Sequence, residues 1–270
     1  MEAKNLVRSK LMSPEKRFKV KDGLIFFGLD KMKFGYRSES ERLNTIGLIE
    51  EVFFGDAYAL LDFRGAFVLD IGANIGDTAL YFAKYGAKHV LAFEPYPKSY
   101  QSAVRNVSLN PNLSRHITLK NEGCAEKDGY INIDPGYESS GGTPLMNFSS
   151  GPAIKLSSFK TIINEYRICD AVLKMDCEGC EYNTILKTDP PLLYSSFREI
   201  VLEYHWGYLA LKKHLESAGF ATKIISKHIG WNQSNEIFDW ENEVVHHCHV
   251  TYPTYFIFHY SAPEKPCRSW

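Results

Sequence analysis

The sequence predicts an α/β fold built on a parallel sheet, and two apolar runs separated by a change of period carry that prediction. Phe67, Val68, Leu69 and Ile71 form a short run ending at Gly72, the pattern of a strand buried on both faces. From Asp77 the period becomes helical, with Ala79, Leu80, Phe82 and Ala83 on one face, Asp77 or Thr78 as the cap and Gly86 as the stop. Val90, Leu91, Ala92 and Phe93 then make a second buried strand, halted by Glu94 and Pro95. Strand, glycine turn, helix and strand in this order are a βαβ unit.

Such units bind ligands beyond the carboxyl ends of their strands. Gly72 and Gly76 are therefore expected to let a ligand approach the backbone, with Ala73 and Asn74 beside it. Glu94, ending the second strand, is placed to accept hydrogen bonds from both hydroxyls of a ribose. Charge then selects the cofactor. A dinucleotide rests its pyrophosphate on the helix N-terminus, and the usual fingerprint there is G-x-G-x-x-G with no acid in the loop. Here the spacing is Gly72-x-x-x-Gly76, and Asp70 and Asp77 flank the turn. Two carboxylates would repel a pyrophosphate. They suit a donor with a ribose, no phosphate and a cationic centre, which describes S-adenosylmethionine.

The run Asp70-Ile71-Gly72-Ala73-Asn74-Ile75-Gly76-Asp77, followed by Ala92-Phe93-Glu94-Pro95-Tyr96-Pro97, resembles the FkbM family of class I methyltransferases. Two later motifs agree: Leu173 to Glu181 looks like that family's K-x-D-x-E-G-x-E, and Glu203-Tyr204-His205 looks like its E-x-H. The likeness runs from about Asp56 to Tyr260. It implies a Rossmann-like, seven-stranded, mostly parallel sheet with helices on both faces. It also implies S-adenosylmethionine as cofactor and a small-molecule or glycan acceptor, with O-methylation of a sugar or natural-product hydroxyl the leading reading. Residues 1–55 are then an N-terminal extension of hairpin and helix, and residues 56–270 the methyltransferase domain. A dinucleotide-dependent oxidoreductase on a similar sheet and a non-catalytic adenosyl-cofactor-binding module are the alternatives.

With 270 residues, 44% of them hydrophobic and 14% aromatic, the chain can bury one sizeable core. A formal net charge of −1 provides no basic field for nucleic acid or an anionic membrane. No apolar run is long enough to cross a bilayer, and Met1 to Lys21 lacks a signal-peptide core. A cytoplasmic protein without nucleic-acid or membrane partners is expected, with homo-oligomerisation left open. The six cysteines are scattered and read as reduced thiols, not as a disulfide framework.

Taken in order, Met1 to Lys21 reads as a solvated arm. Leu24 to Phe27 and Met32 to Tyr36 read as a hairpin, and Glu39 to Phe54 as a helix. By the family likeness these lie over the mouth of the cofactor site and bring Tyr58 near it, although plain packing is the blander reading of that tyrosine. Lys98 to Leu109 is helical after Pro97. Ile117 to Lys120 is a third strand, which places Glu122 above the cleft; the family likeness implies a contact with the adenine amino group there, and a solvated loop acid is the alternative. Gly129 to Asp134 alternates like an exposed strand, and Ser139 to Pro144 reads as a connector or lid. Leu156 to Tyr166 has helical spacing. Ala171 to Met175 is a fourth strand and Glu199 to Glu203 a fifth, each followed by a helix, and Phe220 to Ser226 with Tyr255 to Tyr260 forms a final antiparallel pair.

Methyl transfer from a sulfonium leaves a neutral product, so positioning and a base for the attacking oxygen or nitrogen are what the protein must supply. His205, leaving the fifth strand, is the expected base. Asp176 and Glu178, leaving the fourth on one side of the chain, are expected to orient it or to bind the acceptor. Asp176, Glu178, Glu203 and His205 could hold a divalent ion, but nothing in the spacing demands one. Cys177-x-x-Cys180 has no second Cys-x-x-Cys and reads as buried packing. The run His246-His247-Cys248-His249 alternates sides and reads as a surface loop.

Overall fold

The computed structural model describes residues 18–28, 31–55, 58–133, 145–204, 207–225 and 255–259. Three short antiparallel strands open it: β1 (Phe18–Lys21), β2 (Leu24–Phe27) and β3 (Met32–Gly35). Helix α1 (Glu39–Ile49) starts where the Ser38 hydroxyl accepts the Glu41 N–H at 3.1 Å, and it runs on into one π-helical turn, Glu50–Phe54. The βαβ unit follows as β4 (Phe67–Ile71), α2 (Asp77–Lys84) and β5 (His89–Phe93). Next come α3 (Pro97–Ser108), α4 (Pro111–Ser114) and β6 (Ile117–Lys120).

Strands β7 (Glu122–Ala125), β8 (Gly129–Asn132) and β9 (Ala153–Ser158) form a separate sheet in the order β7-β9-β8. The chain then returns through α5 (Phe159–Glu165) to β10 (Ala171–Met175), α6 (Cys180–Thr184) with a 3₁₀ turn at Ile185–Lys187, α7 (Pro190–Ser196) and β11 (Phe197–Glu203). It closes with α8 (Leu209–Ser217), β12 (Ala221–Ile225) and β13 (Tyr255–His259).

The main sheet has seven strands in the order β12-β13-β11-β10-β4-β5-β6. The five from β11 to β6 are parallel, while β13 runs antiparallel to both β11 and β12. Successive side chains leave opposite faces, so each strand feeds two cores. Val68, Val90, Val172 and Val201 face α2 and its Phe82, whereas Leu69, Leu91, Leu173 and Ile200 face Phe159, Phe197 and Leu211. The chain builds outward from β4 to β6, then crosses back to lay β10 on the other side of β4. That reversal opens a crevice beyond the carboxyl ends of β4 and β10, where ligands of open α/β sheets sit.

Several expectations are corrected. Residues 18–21 of the presumed arm are strand β1, whose Lys19 and Lys21 stay exposed while the backbone pairs with β2. Strand β3 packs on α3, and the π-helical turn that follows α1 packs on α2. There Phe53 meets Tyr81 with ring centroids 5.4 Å apart, and the Arg105 guanidinium reaches both the Gly35 carbonyl at 2.7 Å and Glu41 at 2.6 Å. Tyr58 is 1% exposed and packs on Phe82 at 5.2 Å, and burial, with Asp176, Asp70 and Asp77 nearby, pushes its hydroxyl well above the usual range, so it is both packed and close to the acids of the two turns. The helix placed over 156–166 is strand to Ser158 and helix only from Phe159, because β9 pairs with two partners distant in sequence. Asp189-Pro190-Pro191 both ends one helix and begins another, with proline at the first turn of α7. Residues 139–144, the proposed connector, and 246–249, the histidine run, lie outside the described residues. Among the described residues no helix is long and apolar enough to cross a membrane.

Candidate active site

The glycine turn is held from below. At its start the Gly72 and Ala73 N–H groups both donate to the Phe93 carbonyl at 3.0 Å, tying the turn to the end of β5. Asp176 donates its N–H to the Ile71 carbonyl at 3.0 Å and so continues the ladder of β10 past the last paired residue. Gly72 has φ +83°, and an added Cβ would collide with the Asp176 carbonyl oxygen. Its freedom thus serves the approach of two strand exits to each other. Gly76, with φ +80°, packs its bare Cα against Ala103 of α3, where a Cβ would lie 3.2 Å from that residue. Asn74 takes φ 45°, a conformation that asparagine tolerates better than most residues.

A cavity opens where the ends of β4, β5 and β10 meet, and Gly72, Asn74, Glu94, Pro95, Asp176 and Glu178 all lie on its wall. The structure therefore brings seven of the residues singled out from the sequence to one place, Glu122 among them. Glu94 is 6% exposed, and its two carboxylate oxygens accept the Asn74 N–H at 2.8 Å and the Tyr96 N–H at 2.9 Å. Each oxygen keeps a lone pair for a further donor. Burial pushes the Glu94 carboxyl up to about 7, against the opposing pull of those two N–H groups. Glu122 is held by Lys155 at 3.0 Å and by the Ser157 hydroxyl at 2.8 Å, which fixes one of its oxygens across β7 and β9.

Asp70 and Asp77 are both buried beside the glycine turn. Asp70 is fully buried beneath the turn: its carboxylate lies 3.2 Å from the Lys174 ammonium and accepts the Thr78 hydroxyl at 2.6 Å. Its charge is thereby paired inside the protein. The same ammonium donates to the Gly72 carbonyl at 2.7 Å, so one buried lysine braces the turn at two points. Burial opposes its charge, yet Asp70, Asp176 and Asp77 outweigh that and hold Lys174 above the usual lysine range. Asp77 is 3% exposed, has one carboxylate oxygen without a hydrogen-bond partner among the described residues, and is pushed by burial up to about 7. Ala73 is fully buried and shapes the turn from within.

The acidic side chains on the cavity wall are Glu94, Glu122, Asp176 and Glu178, of which Glu122 is paired with Lys155. Sequence spacing does not reveal that Lys174, distant in the chain, pairs with Asp70. Sequence reasoning overlooked Lys174 as the brace and Tyr96 as a wall residue. Parity was the available signal: Lys174 shares a side with Asp176, and its neighbour across the β10–β4 register is Asp70.

Glu178, with φ 58°, and Gly179, with φ 106°, turn the chain sharply after β10. Glu181, fully buried, accepts the Cys177 N–H at 2.9 Å and the Gly179 N–H at 2.8 Å, and so closes this second turn. Cys177 and Cys180 are joined by a disulfide, their Cα atoms 5.4 Å apart, where buried thiols had been expected. Cys169 is disulfide-bonded as well, while Cys124 is free and buried. The expected base, His205, lies outside the described residues. Among the described residues no group of three or more His, Cys, Asp or Glu side chains is arranged to hold a metal ion.

Comparison with known proteins agrees with this geometry. Residues 70–227 match the model of the methyltransferase FkbM domain, a span that includes both turns and β11. A methyltransferase sdnD from Sordaria araneosa is 34% identical over 108 residues, covering 39% of this chain and 36% of the relative. Methyltransferase 1 of Beauveria bassiana (strain ARSEF 2860) is 32% identical over 77 residues, covering 28% and 31%. The chain thus spans about a third of the length of these curated relatives. Among solved structures, a methyltransferase FkbM from Methylobacillus flagellatus KT superposes with a TM-score of 0.51 at 18% identity, over 75% of this chain and 46% of that one, a likeness of fold.

Proposed function

The chain belongs to the methyltransferase FkbM family, and from that membership we propose that it transfers a methyl group from S-adenosylmethionine to a hydroxyl of a sugar or natural-product acceptor. The observation that carries the reading is Glu94: a carboxylate at the end of β5, on the cavity wall, pinned by two backbone N–H groups and still able to accept a pair of ribose hydroxyls. The residues present fit that cofactor. Glu94 would hold the ribose, Gly72, Asn74 and Pro95 would flank it, and Glu122 would face the adenine. The acids on the wall favour a cation and oppose a diphosphate.

When bound, the cofactor supplies an electrophilic methyl group on a positive sulfur. The protein must then hold the acceptor in line and take its proton. Asp176 and Glu178, on the wall fed by β10, are placed to bind the acceptor hydroxyl. His205 follows Glu203, the last residue of β11, by two positions, and β11 lies beside β10; it is the proposed base. The acceptor class rests on the family likeness of the motifs.

The test is transfer of an isotopically labelled methyl group to a panel of hydroxylated sugars and small natural products. The His205→Ala variant is expected to lower kcat by about 10²- to 10⁴-fold while leaving the affinity for S-adenosylhomocysteine unchanged. Equal losses in both quantities would remove His205 from the role of base. Wild-type protein that methylates none of the panel and binds no adenosyl ligand would overturn the function.

A further inference from the structure

The disulfide between Cys177 and Cys180 has no part in the proposed transfer, yet both residues lie on the wall of the same cavity and both are partly exposed. We propose that this pair is a thiol–disulfide exchange site whose redox partner is a low-molecular-weight thiol such as glutathione, and that its state sets how firmly the cavity holds an adenosyl ligand.

The bridge closes the turn that carries the two acids assigned to the acceptor. Asp176 and Glu178 flank Cys177, and the left-handed Glu178 and Gly179 lie inside the loop that the bond spans. Backbone packing passes the constraint on, because the Gly72 Cα rests against the Asp176 carbonyl and the Asp176 N–H is bonded to Ile71. The glycine turn on one side of the cavity and the Cys177–Cys180 turn on the other are thus in direct contact.

Once the bridge opens, that second turn is held chiefly by the hydrogen bonds to Glu181. A loop fixed in advance costs a ligand less ordering than a loose one. Cys124 serves as the internal contrast: it shares the cavity wall but is 5% exposed, and burial pushes its thiol well above the usual range, which leaves it a poor nucleophile.

The exchange balances without further reactants. A thiolate attacks one sulfur of the pair, the bond between Cys177 and Cys180 breaks, and the other cysteine leaves as a thiolate. A second thiol molecule then attacks the mixed disulfide. Two thiols are oxidised to one free disulfide, and the protein pair gains two electrons and two protons.

The full chain should be equilibrated in glutathione buffers graded from oxidised to reduced, its free thiols trapped with N-ethylmaleimide, and Cys177, Cys180, Cys124 and Cys169 read separately by peptide mass spectrometry. Cys177 and Cys180 are expected to change together, with Cys124 unlabelled in the folded protein. Calorimetry on the oxidised and reduced forms is expected to give an affinity for S-adenosylhomocysteine about fivefold or more weaker in the reduced form. The Cys177→Ala/Cys180→Ala variant, which keeps the Cys169 bond, should show no such dependence; should it fail to fold, the wild-type comparison stands alone.

A pair that stays oxidised across the whole series, or equal affinity in its two states, would overturn the proposal. Its coupling half rests on the adenosyl reading above, its exchange half does not. Exchange without binding in either state would therefore sink that reading and the coupling together.

Discussion

At the scale of single residues, the site depends on acids kept out of water. Glu94 and Asp77 ordinarily lose their protons at 4.5 and 3.8, and burial raises both to about 7. A folded-state value above the unfolded one means that the native protein holds the proton more tightly. The stability this contributes is complete below the unfolded values and is lost as pH rises through about 7. The melting temperature of the unliganded protein should therefore fall by several degrees between about pH 5 and pH 8. Binding runs the other way, because an ionised Glu94 is the better acceptor of ribose hydroxyls, so calorimetric affinity for S-adenosylhomocysteine should rise over the same interval. Glu94→Gln should weaken that affinity about tenfold, a loss of about 1.4 kcal/mol, and flatten its pH profile. Lys174 has a different duty. Replacing it with methionine leaves Asp70 buried without its cation, and urea unfolding should show a loss of about 3–5 kcal/mol; a loss under about 1 kcal/mol would mean that Asp70 has another partner.

At the scale of elements, the two turns that meet over the sheet were legible to different degrees. The turn after β4 could be read directly, since an apolar run, two glycines and a new helical period mark it in sequence. What sequence spacing cannot supply is the reason for each glycine, which lies in chain far away: Asp176 for Gly72 and Ala103 for Gly76. Gly72→Ala should cost on the order of 3–5 kcal/mol in urea unfolding, because both the positive φ and the collision act. Gly65, also at positive φ but with open space around it, should cost only about 1–2 kcal/mol on the same change. Similar costs at the two positions would show that the strand exits do not press together as described. Strands β7 and β9 escaped notice for a related reason. Each is short, and their parallel pairing joins Glu122 to Lys155 across a long intervening stretch, so no local pattern announces it. The cysteine pair was misjudged because its bridge depends on left-handed conformations at Glu178 and Gly179 that residue types do not dictate.

For the whole molecule, the strand order places everything else. Growth outward from β4 to β6, followed by the return to β10, leaves one crevice in which the exits of β4, β5 and β10 can share a ligand. The fold was readable because short, largely apolar runs at β4, β5 and β10 admit few other arrangements. The carboxyl groups on the cavity wall come from the end of β5, from β7 and from the turn after β10, while Asp70 beneath the first glycine turn is paired with Lys174. The proposed preference for a cationic adenosyl ligand over a diphosphate is open to direct measurement. Titration calorimetry of the purified chain with S-adenosylhomocysteine and, separately, with a nicotinamide dinucleotide is expected to give saturable binding of the first and none of the second. Binding of the dinucleotide alone would contradict the assignment of the cavity.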